Sequence, residues 1–390
     1  MRFLHTSDWH LGRTLHGVSL ADAQRAAVDH IVATAIDRGV DAVVVAGDVF
    51  DRAVPPIDAL RLLNSAILRL HAAGITCILS AGNHDSGERL ATYAGVLRDT
   101  VHLVGGLDGV GRGIEFADAH GPIVFYALPY LEPDLARVHL ADGEEPLERS
   151  HEATMRAALA RIDADRATRP GARTVLVGHA FVAEIGVDAE ESDSERDLTV
   201  GGVAIVPAGL FDAGIEYVAL GHLHRAQAVR ESGPVIRYSG SLLRYSFSET
   251  EHEKSVAIIE LGPAGTAPVV ELVPIPQPRG MRRLRGTLDD LLSDAHAAAR
   301  DDFVELVVTD PVYPERMHAR LDEVFPYALR KEHAPVRTAL PRGELPARTA
   351  GREPLDVMVD FLARTLDAEP DSQAVDVLRA AYEAVRDEAR

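Results

Sequence analysis

The chain has 390 residues, 46% hydrophobic and 26% charged, a balance that excludes wholesale disorder and fits two or three cored domains. A formal net charge of -20 repels nucleic acid at long range and weighs against free-standing DNA binding, except at a site where metal ions reverse the sign. No apolar run reaches the ~20 residues that span a bilayer, MRFLHTSDWH lacks a secretory layout, and the single cysteine, Cys77, sits in the apolar run ITCILS. A cytoplasmic protein without membrane association is expected.

From the first residue to about position 270 one theme repeats: a short apolar run, a polar cluster, then a helical stretch. RFLHTS leads into Asp8-Trp9-His10, and residues 20–38 carry helical spacing through Ala23, Ala27, Ile31 and Ala35. DAVVVAG leads into Asp48, and residues 57–73 place Leu60, Leu63, Ile67 and Leu70 on one predicted face. ITCILSAG leads into Asn83-His84, RTVLVG into His179, and IEYVALG into His222. Such runs between turn signals read as buried strands, and their alternation with helices predicts α/β architecture with the polar clusters at the strands' C-terminal ends. The acidic stretches 141–148 and 188–197 read as surface loops. After residue 225, AQAVRE, PVIRYSG, SVAIIEL and APVVELVPI predict strands.

PIPQPRG (274–280) is a predicted boundary. Beyond it MRRLRG and FVELVV read as strands, TLDDLLSDAHAAARDD as a helix capped by its threonine, and PERMHARLDEVF as a helix with proline at its first position. A polar segment (341–354) follows. Two closing helices are predicted, one carrying Leu355, Met358, Leu362 and Leu366, the other Val375, Leu378, Tyr382 and Val385.

Five clusters carry chemistry: Asp8-x-His10, Gly47-Asp48-x-x-Asp51, Gly82-Asn83-His84-Asp85, Gly178-His179 and Gly221-His222-x-His224. Each alone is weak, but each follows an apolar run, so the fold would bring them to one edge. Their imidazoles, carboxylates and amide oxygen suit manganese, iron or zinc better than calcium.

The five clusters resemble the calcineurin-like metallophosphoesterase superfamily. MRFLHTSDWHLGRTLHG, VVAGDVFDRAVPP, SAGNHDS, SERDLTVGG, YVALGHLHRAQAV and IRYSGSLLRYSFSE are similar more specifically to the bacterial SbcD family, the nuclease subunits of SbcC–SbcD complexes. The resemblance implies a β-sandwich flanked by helices over residues 1–275, a small α+β capping domain over 281–340, and helices over 341–390 that dock a coiled-coil ATPase. It implies two divalent metal ions, manganese being expected. Asp8, His10 and His224 would hold one; Asn83, His179 and His222 would hold the other; Asp48 would bridge them. His84 is implied as catalytic donor, paired with Asp51, which otherwise caps the next helix. Arg52 is a candidate phosphate contact, or else a surface residue; Arg244 and Tyr245 either meet DNA or belong to a structural loop beside the site.

The implied activity is 3′→5′ exonuclease action on duplex ends and endonuclease action on single strands and hairpins, by a nuclease homodimer within a heterotetramer. With no Walker-type motif in this chain, ATP hydrolysis falls to the partner. Two alternatives stay open: a phosphodiesterase or phosphatase acting on small molecules or phosphoproteins, and a non-catalytic DNA-end tether. His5 is expected to pack, Trp9 to floor the pocket, and His71, His102, His120, His139, His151, His252, His296, His318 and His333 to be solvated. Arg279, Arg282, Arg283 and Arg285 form the clearest basic cluster, read as a solvated strand or a phosphate contact.

Overall fold

Along the strand Ala42–Ala46 every residue is apolar and buried, which a strand covered on both faces requires. Alternation assigns the faces. Val43 and Val45 join a core with the helices Ala21–Asp37 and Ile57–Ala72, while Ala42, Val44 and Ala46 join another shared with a second sheet. The same division recurs in Arg173–His179, where Val175 and Val177 face the shared core and Leu176 faces helices. The result is two sheets packed face to face with helices outside each. Phe3 of one sheet meets Phe125 and Tyr217 of the other edge to face, at 5.1 and 5.7 Å between centroids.

These features come from a computed structural model that describes residues 1–97, 100–184, 186, 190–195, 205–211, 214–231, 233–335, 353–366, 368 and 370–388. Positions 196–202 of the SERDLTVGG stretch, most of the polar 341–354 segment and the Leu366 side chain lie outside the described residues.

In the first sheet the order is Val269–Pro274, Ser255–Glu260, Arg2–Thr6, Ala42–Ala46, Thr76–Ser80, Val101–Val104. The last four run parallel to one another. In the second the order is Gln227–Arg230, Val235–Tyr238, Tyr217–Gly221, Arg173–His179, Gly121–Ala127, Ile114–Asp118, with the middle four parallel. The polar clusters lie at the C-terminal ends of the strands that begin at Arg2, Ala42, Thr76, Arg173 and Tyr217.

Four local expectations need correction. In helix Ile57–Ala72 the buried stripe is Ala59, Leu62, Leu63, Ala66 and Leu70, and Leu60 is exposed, because two alanines let the helix approach the sheet closely. The helix expected over 287–302 is a short turn, Leu288–Leu291, capped by the Thr287 side chain, then a kinked 3-10 stretch, Asp294–Ala299; Ser293 and Asp294 favour a new start over continuation. The next helix starts at Met317, beyond Pro314, with Arg316 left-handed before it. A strand not anticipated, Ala328–His333, completes an all-parallel three-stranded sheet with Met281–Gly286 and Phe303–Val308. That module has its own core of Leu288, Val304, Leu306, Leu321 and Phe325, among others.

Two further helices, Pro354–Leu366 and Ser372–Glu388, contact each other. Leu355, Met358, Leu362, Val375, Leu378 and Tyr382 are half-buried, whereas Phe361, Val377 and Val385 are exposed. No described helix is long and apolar enough to cross a membrane.

Candidate metal centre

Asp8, His10, Asp48 and His222 all have positive φ (51°, 44°, 49° and 111°), a conformation unfavourable for residues with side chains. Four such residues at adjoining strand ends store backbone strain that the surrounding packing must hold. Part of the hold is visible: the Asp8 amide donates to the Gly47 carbonyl (3.1 Å), and the His10 amide to the Asp48 carbonyl (2.9 Å). Gly221 permits the two sheets to meet here, since a Cβ on it would lie 1.8 Å from the Ala46 carbonyl oxygen.

The side chains converge on Asp48 Oδ2. It lies 3.6 Å from His10 Nε2, 3.5 Å from His179 Nε2 and 4.0 Å from His84 Nε2, while Asp48 Oδ1 accepts the His84 amide at 2.8 Å. Among the described residues, donor atoms group as Asp8–His10–His224, His10–Asp48–His84 and Asp8–Asp48–His179. The His222 amide donates to both Asp8 oxygens (3.1 and 3.2 Å), and its ring lies 5.6 Å from that of His179.

Burial sets the protonation states. It pushes the pKa of His10, His179 and His222 down, so these imidazoles are neutral. Burial and then the neighbouring Asp48 charge push Asp8 well up. His179 Nδ1–H donates to the Ala46 carbonyl (3.0 Å), which leaves the Nε2 lone pair facing Asn83 Oδ1 at 2.8 Å. His224 Nδ1 sits 2.5 Å from Ser194 Oγ and 3.3 Å from Glu249 Oε1, so its Nε2 lone pair faces His10 Nε2 at 3.1 Å. Imidazole nitrogens and an amide oxygen turned toward one another beside Asp8 and Asp48 are the donor set that a cation would take up. The nitrogen and oxygen donors fit borderline divalent ions.

Ten of the named residues can now be placed. Asp8, His10, Asp48, Asn83, His84, His179, His222 and His224 are together. Asp51 adjoins them, but its carboxylate lies 3.6 Å from His10 Nδ1 and 3.7 Å from Arg13, whereas His84 Nδ1 meets the Asp51 carbonyl oxygen (2.9 Å). The expected Asp51–His84 pairing therefore runs through the backbone, because the turn points the carboxylate toward His10. Arg52 is exposed.

Arg244 donates to the His252 carbonyl (3.1 Å), and Tyr245 is buried, its hydroxyl on the Trp9 carbonyl (2.5 Å) and its ring 5.4 Å from His10. Tyr245 thus supports the site from behind instead of meeting DNA. Trp9 belongs to the helix-side core, with its indole N–H on Thr6. His5 packs as expected, bonded to Tyr217 and Leu220. His151 and His252 are buried, contrary to expectation. In the basic cluster Arg279 covers Tyr327 (3.4 Å), while Arg282 and Arg283 pair with Asp302 and Glu305; acidic neighbours within the module absorb most of its charge.

Sequence reasoning assigned no role to Asp85, Ser194, Glu195, Glu249 or Lys254. Asp85 accepts amides of Gly82, Val49 and Phe50, stitching two site loops together, and burial pushes its pKa up to about 7. Ser194, Glu195 and Glu249 stood inside the quoted SERDLTVGG and IRYSGSLLRYSFSE stretches. Only the fold shows that these two stretches meet at His224.

Residues 1–226 match the calcineurin-like phosphoesterase family, and residues 277–365 match a family described as the type 5 capsule protein repressor C-terminal domain. The SbcD subunit of the SbcCD nuclease of Bacillus subtilis (strain 168) is 36% identical over 273 residues, covering 68% of each chain. Its counterpart in Rhodobacter capsulatus is 36% identical over 297 residues, covering 73% of this chain and 71% of that one. A solved structure, TT1561 of Thermus thermophilus, is similar at a TM-score of 0.42 and 16% identity, over 70% of this chain and 99% of that chain.

Proposed function

This chain belongs to the SbcD family of calcineurin-like phosphoesterases and is a metal-dependent nuclease subunit, and we propose that its phosphodiesterase centre holds two divalent cations, manganese being the expected ion. Asp8, His10 and His224 hold one, Asn83, His179 and His222 hold the other, and Asp48 bridges them. The observation that carries this is the convergence on the single oxygen Asp48 Oδ2 of two ligand imidazoles, His10 (3.6 Å) and His179 (3.5 Å), from strands of different sheets, with His84 Nε2 beside them at 4.0 Å.

When bound, such cations neutralise phosphodiester charge and make water a stronger nucleophile. The chain's own residues do the rest. Asp8 and Asp48 supply the negative charge that retains the cations, and the burial-neutral imidazoles present lone pairs without a proton to displace. His84 stands beside this cluster with Nδ1 on the Asp51 carbonyl and Nε2 toward the site, placed to donate a proton to the leaving sugar oxygen. Exposed Arg52 is a phosphate contact, and Arg244, which uses only Nε on the His252 carbonyl, is a second candidate through its other N–H groups.

The substrates are duplex ends, cut 3′→5′, and single strands and hairpins, cut internally, in repair, recombination and replication of DNA in the cytoplasm. The partner is an SbcC-type coiled-coil ATPase, docked on the two terminal helices through exposed Phe361, Val377 and Val385. A second copy of the nuclease subunit completes a homodimer within a heterotetramer. The net charge of -20 and the paired arginines of the 281–335 module support a partner that supplies much of the DNA grip.

The test is co-purification with the ATPase and assay with manganese. Degradation of linear duplex DNA is expected. Turnover of a small phosphodiester with no DNA cleavage in the complex returns the small-molecule alternative, and end bridging that survives Asp48→Ala returns the tether.

A further inference from the structure

The surroundings of His224 carry an inference that rests on the metal-centre reading above. Glu249 and Lys254 form an ion pair, 2.6 Å between Nζ and Oε2, with both side chains fully buried. Lys254 Nζ also donates to the His224 carbonyl (2.8 Å) and to Ser241 Oγ (2.9 Å). The other carboxylate oxygen, Oε1, accepts the Ser194 hydroxyl and that of Ser192 (3.2 Å), and Ser194 Oγ in turn lies 2.5 Å from His224 Nδ1. A line of hydrogen bonds therefore runs from ammonium to carboxylate to hydroxyl to imidazole.

Stability alone accounts poorly for this pair. Withdrawing two charges from water costs about as much as their attraction returns, and apolar replacements are often neutral or stabilising. The pair does fix a direction. Lys254 Nζ, 2.6 Å from Oε2, makes Glu249 the carboxylate of a buried ion pair. An ionised Glu249 orients the hydroxyl, the hydroxyl oxygen accepts Nδ1–H, and the Nε2 lone pair is left aimed at His10. His179 has no such backing, since its Nδ1–H meets the neutral carbonyl of Ala46. An imidazole backed by a carboxylate is the better-held and more basic ligand.

We propose that Glu249, clamped by Lys254 and linked through Ser194, is a positioning residue for His224, and that it makes the cation site of Asp8, His10 and His224 the tighter of the two.

Calorimetric titration of the chelator-stripped full chain with manganese chloride tests this. Two binding events are expected for the unmodified protein. Glu249→Gln should weaken the tighter event roughly 10–100-fold and leave the weaker one unchanged. Because that variant strands a buried ammonium, two others are titrated beside it, each after its melting curve is recorded. Glu249→Gln/Lys254→Met removes both charges. Ser194→Ala keeps the ion pair and removes only the hydroxyl link, so it decides the matter where the others do not fold. Both should weaken the same event, Ser194→Ala least. Unchanged affinity in the folded variants overturns the proposal, as does weakening shared equally by both events or confined to the weaker one. An unmodified protein that binds no manganese instead removes the metal-centre reading itself.

Discussion

The Nε2 atoms of His10 and His224 face each other 3.1 Å apart, and the hydrogen bonds of Ser194 and Glu249 to the far side of His224 leave its Nε2 without a proton. Both rings adjoin the carboxylates of Asp8 and Asp48, whose mutual repulsion raises the Asp8 pKa after burial has raised it first, so a cation among these donor atoms relieves the site.

Chelation should therefore destabilise the fold. Manganese at 100 times its dissociation constant adds about 2.7 kcal/mol per site, read as a rise in melting temperature when manganese is returned to stripped protein. A melting temperature indifferent to manganese contradicts the arrangement.

His84→Ala should lower turnover about 10²–10⁴-fold, the usual contribution of a placed proton donor. Manganese content should stay at two per chain, because Asp48, His179 and His10 retain their mutual geometry. Loss of a metal ion would instead make His84 a ligand. Asp51→Asn separates the two contacts of that residue. It keeps the carbonyl that holds His84, so the shape of the pH–rate profile should persist, while manganese affinity falls because the carboxylate beside His10 Nδ1 has lost its charge.

Gly82→Ala should abolish activity and lower the melting temperature. A Cβ there would sit 2.1 Å from Asp48 Oδ1 and 2.2 Å from the Asp48 amide nitrogen, so the bridging carboxylate or the Asn83 loop must move. Near-normal kinetics in Gly82→Ala would show that the centre tolerates displacement of the Asp48 carboxylate.

Acid should destabilise the protein before the carboxylates titrate. Burial pushes the His5 pKa from 6.5 to about 3, so the unfolded chain binds a proton between those pH values that the folded chain refuses. Stability then falls as pH drops below 6.5, by about 1.4 kcal/mol per pH unit for this one group, and the loss levels off near pH 3. His5→Gln, measured by denaturant unfolding at several pH values between 7 and 4, should be less stable at pH 7 but show a shallower slope. An identical slope would remove His5 as a source.

The site was legible because its chemistry sits next to short strands buried on both faces. Val43, Val44 and Val45 mark a buried parallel strand, and the residue that follows such a strand reaches the active edge. That logic placed Asp8, Asp48, Asn83, His179 and His222 from the sequence. It could not orient side chains within a turn, so the Asp51 carboxylate was assigned to His84 when it faces His10. Nor could it find Glu249 and Lys254, whose role comes from a loop packing against His224 and leaves no spacing to read. In helix Ile57–Ala72 the leucine spacing put Leu60 on the buried face, whereas Ala59 and Ala66 lie there beside Leu63 and Leu70, because small residues allow close approach to the sheet.

Diffraction data collected at the manganese absorption edge from crystals grown with that ion test the central claim most directly. Two anomalous peaks per chain are predicted, one among Asp8, His10 and His224, the other among Asn83, His179 and His222, with Asp48 touching both. Absence of any peak in this cluster, or a lone peak out of reach of Asp48, contradicts it.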